Sequence, residues 1–286
     1  MQPRAQDFVQ RSNLRGFTAL IFDWGIIFGV IGFSIWMNDW IVYLISVWII
    51  GAFQYAIGES LFHEASHFNL FKTKKLNDYL EWVYAVPFFV DMNQYRTEHL
   101  DHHYQMNTEV DHIVRDYEVH GLNNPKKNLF WMWFIKPIIG YAGLFYLRFA
   151  IQLNPMKSSI KFAIFWLPVI SIFWYFDILH LLVMYWFVPF LWSFASFFYW
   201  AEVSEHHNTK SCCRSDVGFL KNLFHHNSGY HYVHHMYPTI PWYKLREAHK
   251  ALTPDSIDVS CGFIDTYNQM KKSNQRTNSS LGVDAS

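Results

Sequence analysis

The chain has 286 residues, of which 51% are hydrophobic, 20% aromatic and only 16% charged, against roughly 25% charged in soluble domains. Formal net charge is zero, so nothing in the balance suggests a nucleic-acid partner, and none is expected. The three cysteines, Cys212, Cys213 and Cys261, form neither a C-x-x-C pair nor a disulfide framework and read as ordinary thiols, so any metal chemistry here is histidine chemistry.

A polar opening with Arg4, Arg11 and Arg15 gives way to an apolar run from Phe17 to Ile57. The run is about twice the roughly 20 residues that cross a bilayer, and it breaks only at Met37-Asn38-Asp39. Two spans joined as a hairpin are expected, over 17–36 and 40–57. The run is too long for a signal-peptide core, and no small-x-small cleavage site follows it. Asp23, inside the first span, is either a functional intramembrane acid or an interfacial one. A second run, Phe162 to Ala201, breaks around Asp177 to His180 and predicts spans over 162–179 and 181–200, with Pro189 kinking the return leg.

None of the 23 lysines and arginines falls between Gly16 and Phe71 or between Phe162 and Thr209. By the positive-inside rule, both termini and the loop between the hairpins face the cytoplasm. The apolar stretch Leu129–Leu147 is interrupted by Lys136-Pro137 and, as a fifth span, would undo that asymmetry. It reads as an interfacial helix, as does Leu76–Phe89. The expected fold is an all-α, multi-pass integral membrane protein, four helices in two hairpins with a cytoplasmic helical cap. Residues 1–270 form one domain in this reading, and 271–286 a disordered polar tail.

The chemistry-bearing feature is repetition of histidines. His231, His234 and His235 follow the pattern His-x-x-His-His, which on a helix places three imidazoles on one face. His99, His102 and His103 repeat it, and His63 with His67 forms an i, i+4 pair. His63 and His206 each stand six residues beyond the last apolar residue of a span, so continuing helices would lift both to one height. Nine imidazoles exceed what one ion takes and suit two metals, since neutral imidazole is a good ligand for iron, zinc, copper or nickel. His207 points about 100° away from His206 round a helix. His225 and His226 are weaker ligand candidates, and Asn227 a water-holding or turn residue. His112, His120, His180 and His249 have no partner at ligand spacing.

Two rival readings share these residues. His63-Glu64-Ala65-Ser66-His67 also matches H-E-x-x-H, the zinc metalloprotease motif, but a protease would leave both His-x-x-His-His boxes without a purpose. A non-enzymatic metal carrier would favour ionisable groups inside the spans, whereas the histidines lie beyond them.

The order HEASH, RTEHLDHH, Glu205-His206 and YHYVHHMYPTIPWYKL resembles the membrane fatty acid desaturase superfamily, which includes hydroxylases and carotenoid-modifying oxygenases. Asn107-Thr108 with Asp111, and Tyr237, Pro238, Pro241 and Trp242, add to the likeness, which covers most of Phe17 to Leu252. The resemblance implies that His63, His67, His99, His102, His103, His206, His231, His234 and His235 hold two iron ions. With O2 as co-substrate these would remove hydrogen from an unactivated C–H bond, giving a double bond or a hydroxyl. Glu64, Glu98, Asp101, Glu202 and Glu205 are then candidates for orienting ring N–H groups. The implied substrate is amphiphilic, a fatty acyl chain in a lipid or thioester. The alternative is a carotenoid, alkane or specialised metabolite for a hydroxylase or ketolase. The core uses almost the whole length, so electrons are expected from a separate donor of ferredoxin, rubredoxin or cytochrome b5 type. Val233 stands where many members carry Glu or Gln, which leaves the substrate subfamily open.

Overall fold

The computed structural model describes residues 3–280 except Asn107, Pro125, Asn154 and Pro155; the side chains of His112, Arg115, 148–153 and 274–280 also lie outside the described set. In chain order the main elements are α1 (Asn13–Met37), α2 (Trp40–Ser66), α3 (Met92–Gln105), α4 (His112–His120), α5 (Tyr141–Leu153), α6 (Met156–Tyr175), α7 (Leu179–His206), β1 (Arg214–Asp216), α8 (Phe219–Phe224), α9 (His231–Met236), α10 (Leu245–Leu252), β2 (Asp258–Ser260) and α11 (Phe263–Ser280).

Four helices, α1, α2, α6 and α7, are long and apolar enough to cross a membrane. The expected break at Met37-Asn38-Asp39 is a capped turn. Asn38 takes the left-handed conformation (φ 46°) that Asn tolerates better than most residues, and the Asp39 carboxylate accepts the N–H groups of Ile41 and Val42 at 2.9 and 3.0 Å. The span boundaries differ from those read in the sequence. The first helix begins at Asn13, the second continues past Ile57 to Ser66, the third runs from Met156 only to Tyr175, and the fourth starts at Leu179. Hydropathy marks where side chains become polar, whereas the backbone ladder continues until a cap or turn interrupts it. In the third case that turn holds Asp177 at φ 57°.

Two compact units divide the chain, one comprising 10–96 and 138–199 and the other 1–9, 97–137 and 200–286. The first contains most of the long helices. Trp24 stacks on Trp186 at 5.5 Å, and Ser34 Oγ meets Tyr185 OH at 3.0 Å. A Cβ on Gly51 would collide with Ser193 Oγ, the close approach that small residues permit between apolar helices. Asp23 is buried. The ladder of α2 widens into a π turn over Ala56–Leu61 before resuming to Ser66. In α7, π turns over Val183–Phe187 and Phe190–Phe194 flank Pro189, which supplies no N–H to the ladder.

Residues 76–89 are not one interfacial helix. They form three short pieces, Leu76–Tyr79, Glu81–Tyr84 and Val86–Phe88, with Asn77, Tyr84 and Phe88 buried. Asn77 anchors the first piece to the chain before it, its amide taking backbone partners at Phe71, Thr73 and Lys74. The stretch 129–147 is split as Lys136-Pro137 suggested. A π turn over Trp131–Ile135 ends there, and α5 begins after Gly140 at φ 87°.

The second unit holds short helices and one feature absent from an all-α expectation, a parallel pairing of β1 with β2 in register Arg214↔Asp258. Helix α9 packs on β1, over a core of Tyr230, Val233, Ile240, Leu245 and Ala248 with Phe8 and Trp242 against it. Helix α11 runs past Lys271 to Ser280, where composition alone predicts disorder. Met270, just before that segment, is fully buried. Residues 281–286 lie outside the described set.

Candidate metal centre

Helix α3 presents His99, His102 and His103 at i, i+3 and i+4; α9 does the same with His231, His234 and His235; and α7 ends on His206. Within this unit the three segments bring their rings together. The ligand atoms of His102, His206 and His235 all lie within 4.8 Å of one another, and all three side chains are buried. A second convergence joins His99, His103 and His234, and a third joins Glu205, His206 and His231.

The nitrogen spacings are informative. Nε2 of His206 lies 2.8 Å from Nε2 of His231, His231 Nε2 is 2.9 Å from His235 Nε2, and His103 Nε2 is 2.9 Å from His99 Nε2. Two nitrogens bound cis to one octahedral ion at about 2.1 Å are about 3 Å apart. Two of the donors are also in the right protonation state. Burial, aided by His102, lowers the His103 pKa to about 4, and burial followed by the surrounding histidines holds His235 well below its ordinary value. Both rings are therefore neutral at pH 7, the state in which an imidazole ligates a metal.

Acids orient two of the rings. Asp111 stands 3.0 and 3.1 Å from His102 Nδ1, which turns Nε2 toward the other histidines; its Oδ1 also accepts Ile113 N–H and caps α4. Glu205 Oε2 lies 3.5 Å from His231 Nδ1, and its Oε1 is gripped by Lys221 Nζ at 2.7 Å. The roles of Asp111 and Lys221 were missed from the sequence. Asp111 was singled out only as part of the family likeness and not as a partner of a histidine ring; Lys221 had no signal. Of the acids expected to orient rings, Asp101 is exposed and Glu205 touches a histidine ring.

In the other unit, His63 and His67 close the end of α2, their rings edge to face at 5.1 Å. Both are half-buried. Arg96 pins that helix end, donating to the carbonyls of Ser66 (2.8 Å) and Ala65 (3.4 Å) while pairing with Asp78.

The remaining histidines fall outside these groups among the described residues. His207 packs its ring against Tyr117 at 5.1 Å, and burial lowers its pKa to about 3. His225 is buried and likewise lowered to about 3. His226 and Asn227 form a left-handed turn (φ 50° and 58°), with the His226 ring on Trp242. His120 is buried with its carbonyl accepting Lys136 Nζ, His180 is exposed, and His249 sits against Tyr230. Asn107 and the His112 side chain lie outside the described residues.

The fatty acid desaturase family profile matches residues 38–265. A dihydrorhizobitoxine desaturase of Bradyrhizobium elkanii is 29% identical over 252 residues, 76% of this chain and 69% of the relative. An sn-1 acyl-lipid omega-3 desaturase (ferredoxin) of Synechocystis sp. is 26% identical over 292 residues, 87% of this chain and 77% of the relative. A chloroplastic omega-3 fatty acid desaturase of Ricinus communis is 22% identical, covering 84% of this chain and 60% of the relative. With the profile spanning most of the chain and clustered imidazoles in its fold, the protein belongs to the fatty acid desaturase family and is an oxidoreductase of the desaturase kind.

Proposed function

We propose that the protein is an O2-dependent membrane desaturase of a fatty acyl chain, lipid- or thioester-linked. In this reading two irons are held by His63, His67, His99, His102, His103, His206, His231, His234 and His235. The observation that carries it is the buried convergence of His102, His206 and His235 from three distant segments. The donor set fits such a group, being imidazole nitrogen throughout, with the pairs His206–His231, His231–His235 and His99–His103 at the spacing of cis ligands. Iron so held supplies, with O2 and external electrons, an oxidant able to take hydrogen from a C–H bond that no general base can ionise. The chain's own residues do the positioning. Asp111 fixes the tautomer of His102, and Lys221 holds Glu205 toward His231.

In the same reading the four apolar helices pair as two hairpins, and both termini and the metal site face the cytoplasm. The distribution of lysine and arginine supports that orientation. Electrons come from a separate protein donor; the Synechocystis relative, whose name specifies ferredoxin, supports that type. A second reading, a specialised metabolite as substrate, is favoured by the Bradyrhizobium relative, which is named for dihydrorhizobitoxine. Family membership removes the protease and carrier readings.

The test is expression in a host of known lipid content, with lipids and hydrophobic metabolites profiled in air and without it. Loss of two hydrogens from an acyl chain, only in air, is the expected result. Gain of one oxygen instead would make it a hydroxylase, and a purified protein carrying zinc alone would overturn the iron assignment.

A further inference from the structure

Cys212 and Cys213 are adjacent, and in an extended chain adjacent side chains point to opposite faces. Here they do not. Cys212 has φ 68°, a left-handed conformation that a residue with a Cβ adopts only when its surroundings impose it. The consequence is that the two sulfur atoms lie 3.7 Å apart.

The surroundings that impose it are visible. The Asp258 carboxylate accepts the backbone N–H of Ser211 at 2.8 Å, and the Asp258 N–H returns to Ser211 Oγ at 2.8 Å. The Ser211 hydroxyl also reaches the Cys213 carbonyl at 3.0 Å. On the other side β1 begins at Arg214, paired to β2. The turn is thus clamped at both ends, with Cys212 half-buried and Cys213 fully buried. A hydrogen bond from Cys213 lowers the Cys212 pKa to about 7, so much of it is thiolate at neutral pH.

We propose that Cys212 and Cys213 are a vicinal dithiol, a modification site that a hydroperoxide converts reversibly to the vicinal disulfide. The Cys212 sulfur attacks one peroxide oxygen, the O–O bond breaks and hydroxide leaves. Cys212 is then a sulfenic acid. The Cys213 sulfur attacks it, the S–S bond forms, the S–O bond breaks, and the departing hydroxide takes the Cys213 proton as water. Two thiols lose two hydrogens, and hydrogen peroxide becomes two waters. Adjacent Cα atoms are about 3.8 Å apart, below the usual 4.4–6.8 Å of a disulfide. The bond is therefore strained, and a dithiol reductant reopens it. The site is tied to the last histidine box, since Ser215 Oγ, two residues beyond Cys213, accepts the Tyr232 N–H at 3.1 Å.

The experiment uses the full chain purified in detergent with Cys261→Ser, which removes the exposed third thiol. One equivalent of hydrogen peroxide is added, thiols are titrated, and the tryptic peptide Ser211–Arg214 is weighed. The expected result is loss of both remaining thiols, a peptide lighter by two hydrogens, and full recovery with dithiothreitol. Oxygen gain at Cys212 with Cys213 still titratable, or two thiols that survive, overturns the proposal. In Cys213→Ser, Cys212 should stop at a sulfenic acid that dimedone traps. In Cys212→Ser, a change at the half-buried position, Cys213 should be inert to peroxide. Reaction of Cys213 there at the rate of the pair would equally overturn it.

Discussion

The His63–His67 pair and the His102–His206–His235 group are built in opposite ways. The pair sits on the end of one continuous helix, is half-buried, and owes its geometry to local spacing. The group is assembled from α3, α7 and α9, is buried, and has a carboxylate behind one of its rings. Local spacing needs only a helix to survive; assembly needs a core, a cap and an ion pair in place. The group is therefore where single substitutions away from the ligands should matter most.

The largest expected effect tests the group itself. His102→Ala or His235→Ala should lower turnover by more than ~100-fold, beyond what outer partners usually cost, with iron content falling and helical circular dichroism retained. Asp111→Asn should follow at roughly 10- to 100-fold in activity or metal affinity. Asn caps a helix about as well as Asp, so thermal stability should hold, and equal loss of both would make Asp111 only a cap. Lys221→Met should cost about 10-fold in iron retention, with Lys221→Arg restoring most of it. An unchanged iron stoichiometry in Lys221→Met would show that Glu205 orients His231 unaided.

Acid should weaken the unit that holds the group. His207 and His225 titrate at about 3 in the folded chain through burial, against about 6.5 unfolded. Between these values the unfolded chain binds more protons, so stability rises with pH across the window and is lost as pH falls from about 6.5 toward 3. Metal-free protein melted at steps through that range should show the decline, and His207→Phe should make it shallower by one group's share, with His225 and the other buried histidines still contributing. The smallest effect belongs to the other unit. Asp39→Ala should cost about 1 kcal/mol of stability through the lost cap, with turnover per folded molecule unchanged.

Much of this was legible in the residue order. Four apolar helices, the interruption at Lys136-Pro137 and the three histidine segments follow from period, length and spacing. The exact ends did not, because π turns in α2 and α7 and caps such as Asn38 continue or stop a ladder without regard to hydropathy. Val233, conspicuous beside the family pattern, is fully buried in the apolar core beneath α9, so its side chain is accounted for by packing.

The order of residues by itself determined the helices and the spacing of the histidine boxes along them, since both depend on neighbours within one or two turns. Only the tertiary structure decided which acids serve the imidazoles, which histidines stay out, and that two adjacent thiols meet. His207 differs from His206 by one position, yet one faces Tyr117 and the other its fellow histidines. Asp111 and Lys221 reach the site across turns whose direction is set by packing. Long-range neighbours are chosen by how buried surfaces close, and that choice leaves no period in the sequence.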